Sequence, residues 1–198
     1  MKILLAEDQA MVRTALASLL RLEADFQVTE AADGTAALQQ LKQQPFDLLL
    51  SDIEMPGKTG IELAQYIQQQ KQPTKVVIIT TFGRAGYVKR AIDAGVGGFL
   101  LKDAPVDQLV SAINQVMTGK RVIDSELLLN SLGEQDPLTE KERQALRLAA
   151  DGHSTSDIAA ALYIAEGTAR NYLSEAISKL NAANRIDAAR IARQKGWL

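Results

Sequence analysis

The chain has 198 residues, 46% of them apolar, and a formal net charge of −2 at pH 7. That length holds one large domain or two ordinary ones, and the near-neutral charge argues against indiscriminate nucleic-acid binding by the whole chain. Without cysteine there is no disulfide framework, thiolate nucleophile or Cys-ligated zinc; no apolar run approaches the roughly 20 residues of a membrane span, and MKILLAEDQA meets acids too early for a secretory signal, so a cytoplasmic protein without membrane insertion is expected.

Strand-like apolar runs alternate with helix-period segments through the first two thirds. KILLA (2–6), FQVTEAA (26–32), DLLLSD (47–52), KVVIITT (75–81) and GGFLLK (97–102) are the strand candidates. Between them MVRTALASLLRL, GTAALQQLKQQ, GIELAQYIQQQ and GYVKRAIDAG carry apolar or small residues three and four apart, and VDQLVSAINQVMTG follows the last strand behind Pro105. Five βα units in succession predict a five-stranded, doubly wound parallel sheet, flavodoxin-like, with helices on both faces.

The alternation then stops. Residues 119–137, GKRVIDSELLLNSLGEQDP, have no strong period and read as a linker with a short helical piece. Beyond it only helices are expected: LTEKERQALRLAADG with a Thr139/Glu142 capping box, STSDIAAALYI opening at Ser154 and Asp157, EGTARNYLSEAISKL, and NRIDAARIARQKG. Residues 1–135 hold 13 Lys+Arg against 16 Asp+Glu, net −3, whereas 136–198 hold 9 against 8, net +1. The direction of that asymmetry permits an acidic module joined to a DNA-tolerant one.

Glu7 and Asp8 follow the first strand, Asp52 ends the third, Thr80 the fourth and Lys102 the fifth. In an open parallel sheet these side chains collect at one edge, outside the carboxyl ends where ligands of such sheets gather. Crowded carboxylates repel and need a counter-charge, and hard oxygen ligands suit Mg²⁺. Beside Lys102 and a metal, Asp52 can stay ionised and attack phosphorus, with Thr80 placed to hydrogen-bond the transferred oxygens. Taken singly, an acid at a strand end is more often a loop solubiliser or helix cap, and Lys102 a solvated charge. Their joint occurrence at four strand ends outweighs that reading.

The set E-D, D-x-x-M-P-G, T and F-L-L-K, placed after strands one, three, four and at five, resembles a response-regulator receiver domain over residues 1–118. The resemblance implies that Asp52 is the phosphoacceptor, that Asp8, Asp52 and the Glu54 carbonyl ligate Mg²⁺ directly and Glu7 through water, that Lys102 contacts the phosphoryl group, and that Thr80 and Phe99 form a switch pair. Taken from the residues alone, Phe99 reads as core. The interval from Thr80 to Lys102, 102 − 80 = 22 residues, holds one helix and one strand, as that layout requires.

Residues 138–198 resemble the LuxR-type helix-turn-helix domain of NarL/FixJ regulators, through L-T-E-K-E-R, G-H-S-T-S-D-I-A-A-A-L, G-T-A-R-N-Y-L-S-x-x-I-x-K-L and N-R. Ile158, Ala159 and Leu162 with Leu173, Ile177 and Leu180 form apolar stripes that lock the helix pair and leave the second free for a major groove. Outward residues Thr168, Arg170, Asn171 and Ser174 can reach phosphates or base edges, and Lys179 and Arg185 can neutralise phosphates. By the resemblance Arg170, Asn171 and Ser174 read bases, and Thr168 and Lys179 hold the backbone. Ala165 stands where the family often has Ser or Thr, which leaves that helix without a side-chain cap, and Ala169 replaces a usual Val. Lone His153 reads as a surface residue and Trp197 as a packing anchor.

The two resemblances together imply a two-component response regulator, not an enzyme, that takes a phosphoryl group from a sensor histidine kinase, dimerises and binds double-stranded promoter DNA. The strings D-I-E-M-P-G-K-T-G, T-T-F-x-R-x-G-Y and G-T-x-R-N-Y-L-S look most like DesR-type regulators, whose partner is a membrane thermosensor kinase and whose targets include a fatty-acid desaturase. Two other classes stay open at this level. One is a Mg²⁺-dependent aspartyl-phosphate phosphatase, although D-I-E lacks the second Asp that such enzymes use two residues on. The other is a DNA-binding regulator that works without phosphorylation.

Overall fold

The computed structural model describes residues 1–23, 26–81, 83–123 and 136–198. The chain divides into two compact units. In the first, strands β1 (Lys2–Ala6), β2 (Gln27–Ala31), β3 (Leu48–Asp52), β4 (Lys75–Thr80), β5 (Gly98–Leu101) and β6 (Val122–Ile123) form a parallel sheet in the order β2-β1-β3-β4-β5-β6. Helices α1 (Ala10–Glu23), α2 (Gly34–Gln43), α3 (Gly60–Gln69), α4 (Ala85–Asp93) and α5 (Val106–Met117) connect them.

Burial on both faces explains the unbroken apolar runs. Every residue of β3 is buried, and so is all of β1 after Lys2. Successive side chains leave a strand on opposite faces, so two cores arise from one sheet. Ile3, Leu5, Leu48, Leu50, Val77 and Ile79 pack with Ala17 and Leu20 of α1 and Leu109, Ile113 and Val116 of α5. Leu4, Ala6, Leu49, Val76, Ile78 and Phe99 pack with residues of α2, α3 and α4 on the other side.

Outside residues 119–137 the expected elements form, with ends moved by a residue or two. The sheet has six strands where five were expected. Val122 and Ile123 pair parallel to Gly98 and Phe99, so the segment assigned to the linker begins as an edge strand. Two residues are too few to carry a period-two signal, and the edge of β5 is what recruits them. The short helical piece expected in that segment lies outside the described residues.

The second unit contains α6 (Glu140–Ala150), α7 (Thr155–Leu162), α8 (Glu166–Lys179) and α9 (Arg185–Lys195) around Leu146, Ile158, Ala169, Leu173, Ala176 and Trp197. Thr139 with Glu142 and Ser154 with Asp157 close capping boxes at the starts of α6 and α7, satisfying donors that a helix start leaves open. Among the described residues no helix is long and apolar enough to cross a membrane.

One glycine sets the geometry beneath the acidic edge. Gly60 opens α3, its N–H bonds to the Ile53 carbonyl at 3.0 Å, and a Cβ there would lie 2.1 Å from the Asp52 carbonyl oxygen. Gly60→Ala must therefore push α3 away from the end of β3. A loss of roughly 1–3 kcal/mol in urea unfolding of the full chain is expected.

Candidate functional site

The carboxyl ends of β1, β3 and β5 converge because their side chains continue the alternation of one sheet face. Glu7 follows Ile3 and Leu5, Asp52 follows Leu48 and Leu50, and Lys102 follows Leu100, all directed as the α1/α5 core residues are. Lys102 Nζ lies 2.7 Å from Glu7 Oε2 and 2.8 Å from Asp52 Oδ2, reaching from the end of β5 to two strands that are not its sheet neighbours. Asp52 Oδ1 accepts the Ile53 N–H at 2.6 Å, and Arg13 donates to the Glu7 carbonyl at 2.7 Å. Glu7 is fully buried and Asp52 is 6% exposed, whereas Asp8 faces solvent.

Two buried carboxylates thus meet one ammonium, with Asp8 beside them. Burial pushes the Asp52 carboxyl above its ordinary range, aided by the charge of Glu7, while Lys102 and the Ile53 N–H pull the other way. Burial also works against the Lys102 cation, but its pairing with Asp52 and Glu7 wins and raises its pKa, so the ammonium persists at neutral pH. Glu7, Asp8 and Asp52 each offer an oxygen within 4.8 Å of the others. The buried Glu7 Oε2 lies at ion-pair distance from Lys102 without meeting hydrogen-bond geometry. A cluster of hard oxygens, one of them short of a directed donor, fits a Mg²⁺ ion.

Thr80 ends β4 on the opposite face parity, with Val76 and Ile78, and is buried. Its carbonyl accepts the Lys102 N–H at 2.8 Å, which holds the end of β5 beside it. Phe99 is in register with Ile78 and Thr80 with Leu101, so Thr80 and Phe99 share one face two positions apart. Phe99 is 1% exposed within the core that α2, α3 and α4 cover. Glu54 lies outside the carboxylate cluster, and its side chain accepts a hydrogen bond from the hydroxyl of buried Tyr87 in α4. Arg13 does not stand out in the sequence, since a cation on a helix reads first as solvated surface; Tyr87 stands in the T-T-F-x-R-x-G-Y string, but nothing local joins it to Glu54.

In the helical unit, α8 buries Ala169, Leu173 and Ala176 and exposes Gly167, Arg170, Asn171, Ser174 and Ser178. The exposed set recurs at i, i+3, i+4 and i+7, so it forms one polar stripe. Thr168 is half-buried, and Arg170 pairs with Glu166 at 3.0 Å while remaining 70% exposed. Arg185 opens α9, half-buried, and donates to the His153 carbonyl at 3.3 Å. His153 is exposed and Trp197 is buried in the core of the unit, as expected for both.

Lys179, expected at a phosphate, has its ammonium 2.8 Å from both carboxylate oxygens of Glu142. Glu142 is buried and would be an uncompensated charge without that partner, so the pair fastens the end of α8 to the first turn of α6. Buried Arg143 does similar work beside it, donating to the Trp197 and Leu138 carbonyls and pairing with Glu140. The partners of these charges lie 37 and 54 residues along the chain, too far for any local pattern to join them.

Two outcomes follow for this unit. Burial alone would raise the Glu142 pKa, but Lys179 and the Thr139 N–H outweigh it and hold the carboxyl below its ordinary value of 4.5. A depressed folded-state pKa contributes stability that is present above pH 4.5 and is lost as pH falls through the folded value. Thermal melts of Lys179→Met are expected to lose most of that pH dependence relative to the unsubstituted chain. Ala165, the N-cap of α8, makes no side-chain cap bond. Ala165→Ser is expected to add about 1 kcal/mol in chemical unfolding.

The response regulator receiver domain model matches residues 3–114, and the model of bacterial regulatory proteins of the luxR family matches residues 136–192. The transcriptional regulatory protein DesR of Bacillus subtilis is 46% identical over 196 residues, covering 98% of each chain. The uncharacterized transcriptional regulatory protein YvfU of the same organism is 46% identical over 198 residues, all of this chain and 99% of that one. The equal identity does not favour one of these two relatives over the other. Among solved structures, RcsB from Salmonella enterica serovar Typhimurium, bound to promoter rprA in the presence of the phosphomimetic BeF3-, is similar with TM-score 0.74 at 25% identity, covering 96% of this chain and 97% of that one. A receiver followed by a LuxR-type DNA-binding unit, matched in order along a chain that aligns end to end with transcriptional regulators, makes this chain a member of the two-component response regulators that control transcription.

Proposed function

We propose that Asp52 accepts a phosphoryl group from the phosphohistidine of a sensor histidine kinase and that this modification promotes dimerisation and promoter binding. The observation that carries the reading is the single ammonium of Lys102 held at 2.7 and 2.8 Å from Glu7 and Asp52, with Asp8 completing the oxygen cluster. In the transfer, an Asp52 carboxylate oxygen attacks phosphorus while the P–N bond breaks, its electron pair returning to the imidazole nitrogen. Lys102 leaves Asp52 for the incoming phosphoryl oxygens and offsets charge that the Glu7 and Asp8 carboxylates would otherwise repel. Glu7, Asp8 and Asp52, with the Glu54 carbonyl, are the residues that would hold Mg²⁺. The ion would supply positive charge to the nucleophile and the phosphoryl oxygens together.

Acylphosphate formation adds roughly two negative charges at this edge. Thr80 then turns its hydroxyl to the new oxygens, and Phe99, on the same face, follows into the vacated space. The result is a population shift between two packings of the α4 side of the sheet. In the helical unit Arg170, Asn171 and Ser174 read base edges, Thr168 and Arg185 meet phosphates, and Lys179 keeps α8 in place. Two copies present two recognition helices to half-sites about one helical turn apart. The division of labour follows the domain spans 1–118, 119–137 and 138–198. The similarity to RcsB bound to promoter DNA, 25% identical, and to the transcriptional regulatory proteins DesR and YvfU supports it.

Incubation of the full chain with acetyl phosphate and Mg²⁺, followed by intact-mass spectrometry, is expected to add one phosphoryl group per chain. Asp52→Asn or chelation of the metal is expected to abolish the addition. Labelling that persists in Asp52→Asn sinks the assignment.

A further inference from the structure

Tyr163 caps the C-terminus of α7 in the left-handed region, φ 54° and ψ 46°, and is 95% exposed. Among the described residues two other non-glycines have positive φ, Lys71 and Asn181. Asparagine enters that region readily, whereas a bulky aromatic is a steric outlier there, and glycine is the usual choice at such a helix end. Its N–H is well placed, bonding to the Ala159 and Ala160 carbonyls, so the turn itself does not demand a tyrosine. The ring gains no packing in water, and among the described residues nothing hydrogen-bonds its hydroxyl. The fold thus carries a costly residue that contributes nothing to it, a pattern that marks a functional position.

Its location says what the function is. Ile164, next in the chain, turns toward the core, and the exposed residues that follow are Ala165, Glu166, Gly167 and Arg170, the start of α8. When the second helix of such a motif enters a groove, its N-terminal residues face base edges, and the turn just before them lies along the sugar-phosphate flank. A tyrosine hydroxyl is a neutral donor of the kind that fixes register on phosphates. We propose that Tyr163 is a DNA-backbone contact whose hydroxyl donates a hydrogen bond to a phosphate oxygen beside the groove that α8 enters. This rests on the reading of α8 as the recognition helix.

The test uses the full chain and a fluorescent duplex of mixed sequence, with anisotropy read over a series of salt concentrations. Tyr163→Phe is expected to bind about tenfold more weakly at every salt concentration with the salt slope unchanged, because a neutral donor releases no counterion. Tyr163→Gly is expected to lose at least as much affinity while its Tm holds or rises. Arg170→Ala, on the exposed stripe of α8, is expected to weaken binding. Tyr163→Phe binding normally while Arg170→Ala binds weakly overturns the phosphate contact and leaves α8 as the recognition helix. A fall in Tm for Tyr163→Gly also overturns it, by giving the ring a role in the fold. Unchanged binding in both Tyr163→Phe and Arg170→Ala removes the reading of α8 and this contact with it.

Discussion

The ammonium of Lys102 ties the end of β5 to the ends of β1 and β3, which are paired with each other but not with β5. β1 and β5 are separated by β3 and β4, yet one side chain spans from the end of β5 to carboxylates after β1 and on β3. A buried charge cluster of this kind adds little net stability, because desolvation offsets most of the attraction, but it is severe on any member left unpaired. The cluster is therefore not what holds the fold together. Its cation is mobile enough, on a four-carbon stem, to serve a different anion without disturbing the strands beneath.

The surrounding architecture makes that placement possible. Strong apolar burial on both faces of β1, β3 and β4 fixes each strand's register, and register decides the face on which the last side chain emerges. Glu7, Asp52 and Lys102 share one parity while Thr80 and Phe99 share the other. On the proposed mechanism a phosphoryl group added at the first set is met by Thr80 of the second, at a sheet edge where the Lys102 N–H and the Thr80 carbonyl bond at 2.8 Å. On the proposed mechanism this lets one phosphoryl group repack the α4 side while the α1/α5 side stays as it is.

The helical unit uses buried charge for a different purpose. Glu142 with Lys179 and Arg143 with its carbonyl partners brace α6, α8 and the chain's last residues against one another. Small residues, Ala169 and Ala176, sit where α8 faces this core, which brings its backbone close and leaves its opposite side polar and open. The uncapped start at Ala165 and the left-handed Tyr163 place the weakest local geometry just ahead of the stripe that would meet DNA.

Legible in the residues alone were the alternation of strands and helices, the change to an all-helical tail, the capping boxes at Thr139 and Ser154, and the acids and lysine at the strand ends. Those features are local: period, cap chemistry and apolar runs act over a few residues, so they are written in consecutive positions. Tertiary structure decided the rest. Only the open edge of β5 makes a strand of Val122 and Ile123, and only folding turns Lys179 from a solvated cation into the partner of Glu142. The Tyr87 hydroxyl meets Glu54 for the same reason. Each of these pairings joins residues far apart in the chain through burial and charge, and burial is a property of the packed molecule that no short stretch of sequence holds.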